Sequence, residues 1–252
     1  MLTYERHDII LELLRQKRTV KLTDLTEATG ASESTIRRDL IELEDAQKLK
    51  RIHGGASLPS RKSDEPTMLD KKTVFAEEKQ RIGKLAASFI EDGDSIYLDA
   101  GTSTEAMLPF IEAKDIVIVT NGLNIVEPAL QRGFRTYVLG GYVKSGTLAF
   151  IGRTAAESLK QYRFDKAFLG TNGVDPEFGF STPDPEEAAI KQLAIQAAQQ
   201  AFVLADASKL QQTSFSRFAS IHDAALITEI KSETELFLEQ LSEHTTIEGV
   251  KP

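Results

Sequence analysis

Two sets of side chains carry chemistry that the rest of the chain must position. In the first, Ser34, Thr35, Arg37 and Arg38 crowd together just behind Ser32. An arginine guanidinium can bond bidentately to N7 and O6 of guanine, and serine or threonine hydroxyls reach phosphates and base edges. A basic group, Lys48, Lys50, Arg51 and His53, follows closely and suits a phosphate backbone. The second set is dispersed. It comprises Asp99, Gly101, Thr102, Ser103 and Thr104, then Asn121, Gly140, Gly141, Thr171, Asn172, Gly173, Asp175, Lys191, Asp206 and Lys209. Glycine lets a backbone approach a ligand closely, and hydroxyls at a helix start form an anion cradle. Amides and hydroxyls of this kind bond sugar hydroxyls, and Lys209 supplies a point charge for a phosphate.

The first set needs an exposed helix face. Ile9, Ile10, Leu13 and Leu14 give residues 4–15 one buried helical stripe, which Lys17 and Arg18 close. A short helix over 22–29 ends at Gly30, a residue that tolerates the positive φ of a tight turn. Ser32 then stands as an N-cap, and Ile36, Leu40 and Leu43 face inward from a third helix. That leaves Ser34, Thr35, Arg37 and Arg38 on or near the solvent side, the outline of a helix-turn-helix with its recognition helix. The stretch KLKRIHGGA reads as a two-stranded wing anchored by Leu49 and Ile52, with its basic residues pointing out.

The second set needs a sheet. Residues 58–73, with two prolines and many charges, are expected to be a linker between a 1–57 DNA-binding domain and a 74–252 domain. Past the linker, Ile82, Leu85, Ala86, Phe89 and Ile90 form a helical stripe. Short apolar runs follow at 95–99, 116–120, 136–140, 166–170, 201–206 and 224–228, most of them separated by helical patterns, notably over 185–199. Alternation of this kind predicts an α/β fold with a mainly parallel sheet covered on both faces. Ligands of such sheets bind at the carboxyl ends of the strands, where the dispersed polar residues fall.

Composition sets the limits. The net charge of −8 opposes nucleic-acid binding on its face, but residues 1–57 hold ten basic and ten acidic side chains, so the whole deficit lies beyond them. With no cysteine and four scattered histidines, neither disulfides nor a structural metal is expected, and no cofactor is implied. No apolar run approaches the roughly 20 residues that cross a bilayer, and MLTYERHD has no signal-like stretch, so a cytosolic, non-membrane protein is expected.

The stretch SESTIRRDLIELEDAQKLKRIHGGA resembles the DNA-binding signature of the DeoR family of sugar-metabolism repressors. The motifs DAGTST, VTNGL, VLGG, LGTNGVD and LADASK, in that order, resemble the sensor domain of the same family, so the resemblance spans essentially the whole chain. It implies a sensor domain similar to ribose-5-phosphate isomerase, and a phosphorylated sugar as effector. SESTIRRDL, RIHGGA, YLDAGTST and STPDPEEAAIKQ are most similar to those of fructose-operon repressors, which makes fructose 1-phosphate a candidate. Operator symmetry implies at least a dimer. The alternative is an isomerase-like enzyme fused to a DNA-binding segment. Such isomerases carry a lysine in the loop after their acidic residue, whereas 173–183 has none and the next is Lys191, expected on a helix surface. Asp175, Glu186 and Glu187 read equally well as solvated carboxylates, so a regulator without catalysis is expected.

Overall fold

A computed structural model describes every residue except 1, 18, 47, 53, 58–66 and 252, together with all side chains of those residues but 15 and 16. The chain divides into two compact units, Met1–Arg61 and Lys62–Pro252.

In the first unit, α1 (Thr3–Lys17), β1 (Thr19–Lys21), α2 (Leu22–Thr29), α3 (Glu33–Asp45), β2 (Lys50–Ile52) and β3 (Gly55–Ser57) follow in order. Ile10, Leu14, Leu25, Ile36, Leu40 and Leu43 close one small core. Gly30 ends α2 at φ 65°, its N–H donating to the Thr26 carbonyl at 2.8 Å. The wing departs from expectation. It is a three-stranded antiparallel sheet of order β1-β3-β2, because Thr19–Lys21 pairs with Gly55–Ser57. Val20, Leu49 and Ala56 anchor it, while Ile52 remains 42% exposed.

The second unit opens with α4 (Met68–Thr73) and α5 (Ala76–Ala87). Residues 68–73 were expected as linker, but Thr67 and Asp70 form a capping box that starts a helix there. The strands are β4 (Ser95–Leu98), β5 (Val117–Thr120), β6 (Arg135–Val138), β7 (Tyr142–Lys144), β8 (Ala149–Ile151) and β9 (Phe164–Gly170). They continue with β10 (Gly173–Asp175), β11 (Gly179–Thr182), β12 (Ala198–Ala205), β13 (Ser216–Ala219), β14 (Ala225–Glu229) and β15 (Ile247–Val250). Between them lie α6 (Thr102–Glu105), α7 (Leu123–Gln131), α8 (Arg153–Leu159), α9 (Pro185–Ala197) and α10 (Glu235–Ser242).

Seven strands form the expected parallel sheet, in the order β15-β14-β12-β9-β4-β5-β6. Alternation along each strand feeds both faces. Ile96 and Leu98 of β4 pack with Ile82, Ala86 and Ile125 on one side, whereas Tyr97 packs with Leu159, Ile190 and Ala194 on the other. From β4 the chain builds outward through β5 and β6 in one direction, and later through β9, β12 and β14 in the other. Their shared border, β4 beside β9, is therefore the topological switch point, the place where ligands of open α/β sheets generally bind. The hairpin β7–β8 and the small sheet β10-β11-β13 add structure that apolar periodicity did not reveal.

Phe89, Phe202 and Phe168 stack in succession with centroids 5.0 and 5.1 Å apart, across the helix-covered face. Phe168→Ala is expected to cost about 3–5 kcal/mol, seen as a lower urea midpoint for the second unit. An unchanged midpoint would show that the stack adds nothing to stability.

Candidate DNA-reading helix and sensor cleft

Helix α3 owes its start to Ser32, whose hydroxyl accepts from Thr35 N at 3.3 Å and lies 2.9 Å from both the Ser34 and Thr35 hydroxyls. With Ile36, Leu40 and Leu43 turned into the core, Ser34, Arg37 and Arg38 are exposed and Thr35 is half-buried. Among the described residues Arg37 meets only the exposed Glu33, at 3.5 Å, a contact of little energy. One charge on α3 points the other way. Asp39 is buried, and it receives Arg6 Nε at 2.7 Å, Arg6 Nη2 at 2.9 Å and lies 3.3 Å from His7 Nε2. Arg6, counted among the basic residues of the segment, thus binds α1 to α3. The signal was present, since Asp39 stands beside Leu40 on the apolar stripe, where a carboxylate needs a partner.

On the wing, Lys48 and Lys50 are exposed. Arg51 is exposed as well, and its N–H and Nε donate to Glu44 at 2.7 and 2.5 Å, which links the wing to α3. The Arg51 backbone bond, then its side chain, hold the Glu44 carboxyl below its ordinary range. His53 lies outside the described residues.

At the switch point of the second unit, Asp99 is 1% exposed. Its Oδ2 accepts from Gly170 N at 2.9 Å and from Lys191 Nζ, and its Oδ1 accepts from Thr104 Oγ1 at 3.0 Å. Lys191 also donates to the Gly170 carbonyl at 2.9 Å. The expected helix-surface position of Lys191 is therefore wrong. Helix α9 lies against the sheet, and Glu187 and Lys191, four residues apart, share a buried face directed at the strand ends. Glu187 accepts from Thr147 Oγ1 at 2.7 Å and Lys144 Nζ at 3.1 Å. Burial, with Asp99 and Glu187 nearby, raises the Tyr97 phenol well above its ordinary value, so it stays protonated and donates to Asn121 Oδ1 at 2.8 Å.

Several expected ligand groups are instead committed to the scaffold. The Thr104 hydroxyl is fully buried and knits the loop through the Asp99 and Gly101 carbonyls, each at 2.9 Å. Asn121 also accepts from Ala100 N and donates to the Phe150 carbonyl. Thr171 Oγ1 lies 2.8 and 3.0 Å from the Gly173 and Ser181 carbonyls, and Asn172 Oδ1 accepts from Thr182 Oγ1 at 3.3 Å. Asp175 accepts from Glu177 N and Phe178 N, which closes the β10–β11 turn. Gly140 and Gly141 are exposed, and Gly141 at φ 128° serves the turn into β7. The start of α6 is one helical turn only, so its dipole is small, with Thr102 half-buried and Ser103 buried. After β12, Asp206 is buried and caps a 3-10 turn, Ala207–Lys209, through Ser208 N at 3.1 Å. Lys209 is half-buried, with no ion pair within 4 Å among the described residues.

Glu78 and Lys79 at the start of α5 escaped sequence reading. Glu78 Oε1 accepts from Ala207 N at 2.6 Å, its Oε2 accepts from Lys231 Nζ at 2.5 Å, and Lys79 Nζ lies 4.0 Å from Asp206. Burial, and then the nearby Lys209 and Lys71 working against Asp206, lower the Lys79 ammonium from its ordinary value.

The Asp99–Lys191 pair is testable. Asp99→Ala leaves a buried ammonium and should destabilise the second unit by about 3–5 kcal/mol in urea, with much of the loss regained on adding Lys191→Met. A double variant no more stable than Asp99→Ala alone would show that the pairing is not what the carboxylate supplies.

Comparison with known proteins agrees with this layout. Residues 6–62 match the DeoR-like helix-turn-helix domain and residues 74–229 the DeoR C terminal sensor domain. The chain is 49% identical to the uncharacterized HTH-type transcriptional regulator FruR of Bacillus subtilis, over the full length of both. It is 33% identical to the HTH-type transcriptional repressor GlcR of the same organism, covering 94% of this chain and 92% of that one. To the lactose phosphotransferase system repressor of Staphylococcus epidermidis it is 34% identical, over 95% and 99%. Among solved structures, ribose 5-phosphate isomerase A of Methanocaldococcus jannaschii aligns over 54% of this chain and 55% of its own, with TM-score 0.40 and 17% identity. The chain belongs to the DeoR family of transcriptional regulators, which repress sugar-utilisation operons.

Proposed function

We propose that this regulator seats α3 in the major groove of its operator and is released or modulated by a phosphorylated sugar held beyond the ends of β4, β9 and β12. The observation that carries the effector reading is the gathering of polar residues after the carboxyl ends of β4, β9 and β12, with Asp99 and Lys191 paired between β4 and α9 and Lys209, after β12, half-buried with no ion pair within 4 Å among the described residues. Ser103, Thr102 and the Asn172 amide are the polar groups best suited to sugar hydroxyls, with Lys209 on the phosphate. The likeness of SESTIRRDL, RIHGGA, YLDAGTST and STPDPEEAAIKQ to fructose-operon repressors makes fructose 1-phosphate the first effector to try. Arg38, Arg37, Ser34 and Thr35 read bases, and Lys48 and Lys50 contact phosphates, in at least a homodimer on a symmetric operator. No described helix is long and apolar enough to cross a membrane, which fits a cytoplasmic regulator.

We propose no catalysis. Asp175 serves its hairpin turn and Lys191 serves Asp99, so the two cannot act as a free acid–base pair. The relatives, being regulators, support the same reading.

Gel shifts at fixed salt test the DNA interface. Arg38→Ala should cost about 1–3 kcal/mol on the operator alone, whereas Lys50→Ala should weaken binding to any duplex and flatten the salt dependence by about one unit of slope. Equal losses on specific and random DNA for Arg38→Ala would remove it from base reading. For the effector, a fructose phosphate should raise the thermal midpoint where fructose does not, and Lys209→Ala should erase that difference. Equal stabilisation by fructose and its phosphate would refute the assignment.

A further inference from the structure

The DNA-binding unit gathers a set of donor atoms that neither base reading nor phosphate contact uses. His7 Nε2, on α1, lies 3.3 Å from Asp39 Oδ1 and 3.7 Å from Glu42 Oε2, both on α3. The three donor atoms all fall within 4.8 Å of one another. Asp39 and Glu42 stand three residues apart and so share one face of α3, and the fold lays α1 across that face. No local ligand motif announces the group, because the imidazole comes from a different helix than the two carboxylates.

The spacing suits a metal ion. Ligands about 2.0–2.2 Å from a tetrahedral zinc ion stand about 3.3–3.6 Å from one another. The separations of 3.3 and 3.7 Å between His7 and the two carboxylates already meet that requirement, and the Glu42 side chain is exposed enough to turn in without disturbing the core. Asp39 is buried, and Arg6 fixes its orientation by donating Nε to Oδ2 at 2.7 Å and Nη2 to Oδ1 at 2.9 Å. A carboxylate oxygen offers two lone pairs, so Oδ1 can accept from Arg6 and ligate an ion at the same time. Hydrogen bonds of this kind to a ligating carboxylate are what orient metal ligands in general. Because Arg6 also draws on the Asp39 charge, the affinity falls below that of a zinc site closed by four protein ligands. An imidazole with two carboxylates favours zinc, cobalt or nickel over magnesium, which prefers oxygen donors alone.

We propose that His7, Asp39 and Glu42 form a binding site for a divalent transition ion of the zinc class, which clamps α1 to the recognition helix. His7 ligates through Nε2 with its ring proton on Nδ1, and its contact with Asp39 gives way to the shared ion. The fourth position is left to water. Two carboxylates against one guanidinium leave the empty group with a net negative charge that attracts a cation. The ion joins the same two helices that the Arg6–Asp39 pair joins, so its binding energy becomes stability of the first unit.

The test uses the full-length protein with cobalt(II) as the probe. The chain has no cysteine, so visible cobalt bands report nitrogen and oxygen ligation alone. Cobalt should give the absorption of a four-coordinate ion, and zinc should displace it. Zinc should also slow amide hydrogen exchange in α1 and α3 several-fold and leave the second unit unchanged, whereas magnesium at the same concentration should do neither. His7→Ala and Glu42→Gln should each weaken cobalt binding at least tenfold. Glu42→His, which restores a ligand without a negative charge, should keep the absorption, and as Glu42 is exposed its variants retain the fold. His222→Ala, in the second unit, should change nothing. Absence of the cobalt bands, an equal response to magnesium, or loss of binding in His222→Ala with His7→Ala unaffected would each overturn the site and leave His7 as an ion-pair partner of α3 only.

Discussion

A carboxylate taken out of water at the border of two strands must be given donors, and those given to Asp99 come from every element that meets there. Gly170 N–H brings the end of β9, Thr104 brings the loop into α6, and Lys191 brings α9. Removing any one of them leaves a charge or a donor stranded in a low-dielectric site, at a cost larger than most surface contacts supply. The strand ends at the switch point are therefore tied to one another through Asp99, and the polar residues there are largely spent on the scaffold.

The division between legible and hidden features follows the range of the interactions. Helix α3 could be read because its determinants are local: Gly30 at a left-handed turn, Ser32 as a cap, and Ile36, Leu40 and Leu43 on one stripe. The inner parallel strands β4, β5, β9 and β14 could be read because each is a short apolar run buried along most of its length. Hidden features were pairs far apart in sequence. Arg6 with Asp39, Arg81 with Glu229 and Lys191 with Asp99 each join elements that only the tertiary fold brings together. The type of residue was visible in each case and its partner was not.

The same reasoning explains why hydroxyls in the DAGTST motif divide by role. Thr104 is buried among three carbonyl or carboxylate oxygens and holds the loop, while Thr102 keeps partial contact with solvent. Strands β10, β11 and β13 escaped notice because Gly179–Thr182 is buried throughout yet half polar, with Ser181 accepting from Ser214 N instead of facing water. Backbone pairing, and not apolar alternation, made it a strand.

A regulator of this design works only if effector and operator prefer different arrangements of the same chain, and any such preference is reciprocal. The most direct measurement is calorimetric titration of fructose 1-phosphate into the full-length protein, alone and saturated with operator duplex. The account predicts weaker effector binding on the operator complex, by the same factor by which effector weakens operator binding. Equal effector affinity with and without DNA would contradict it.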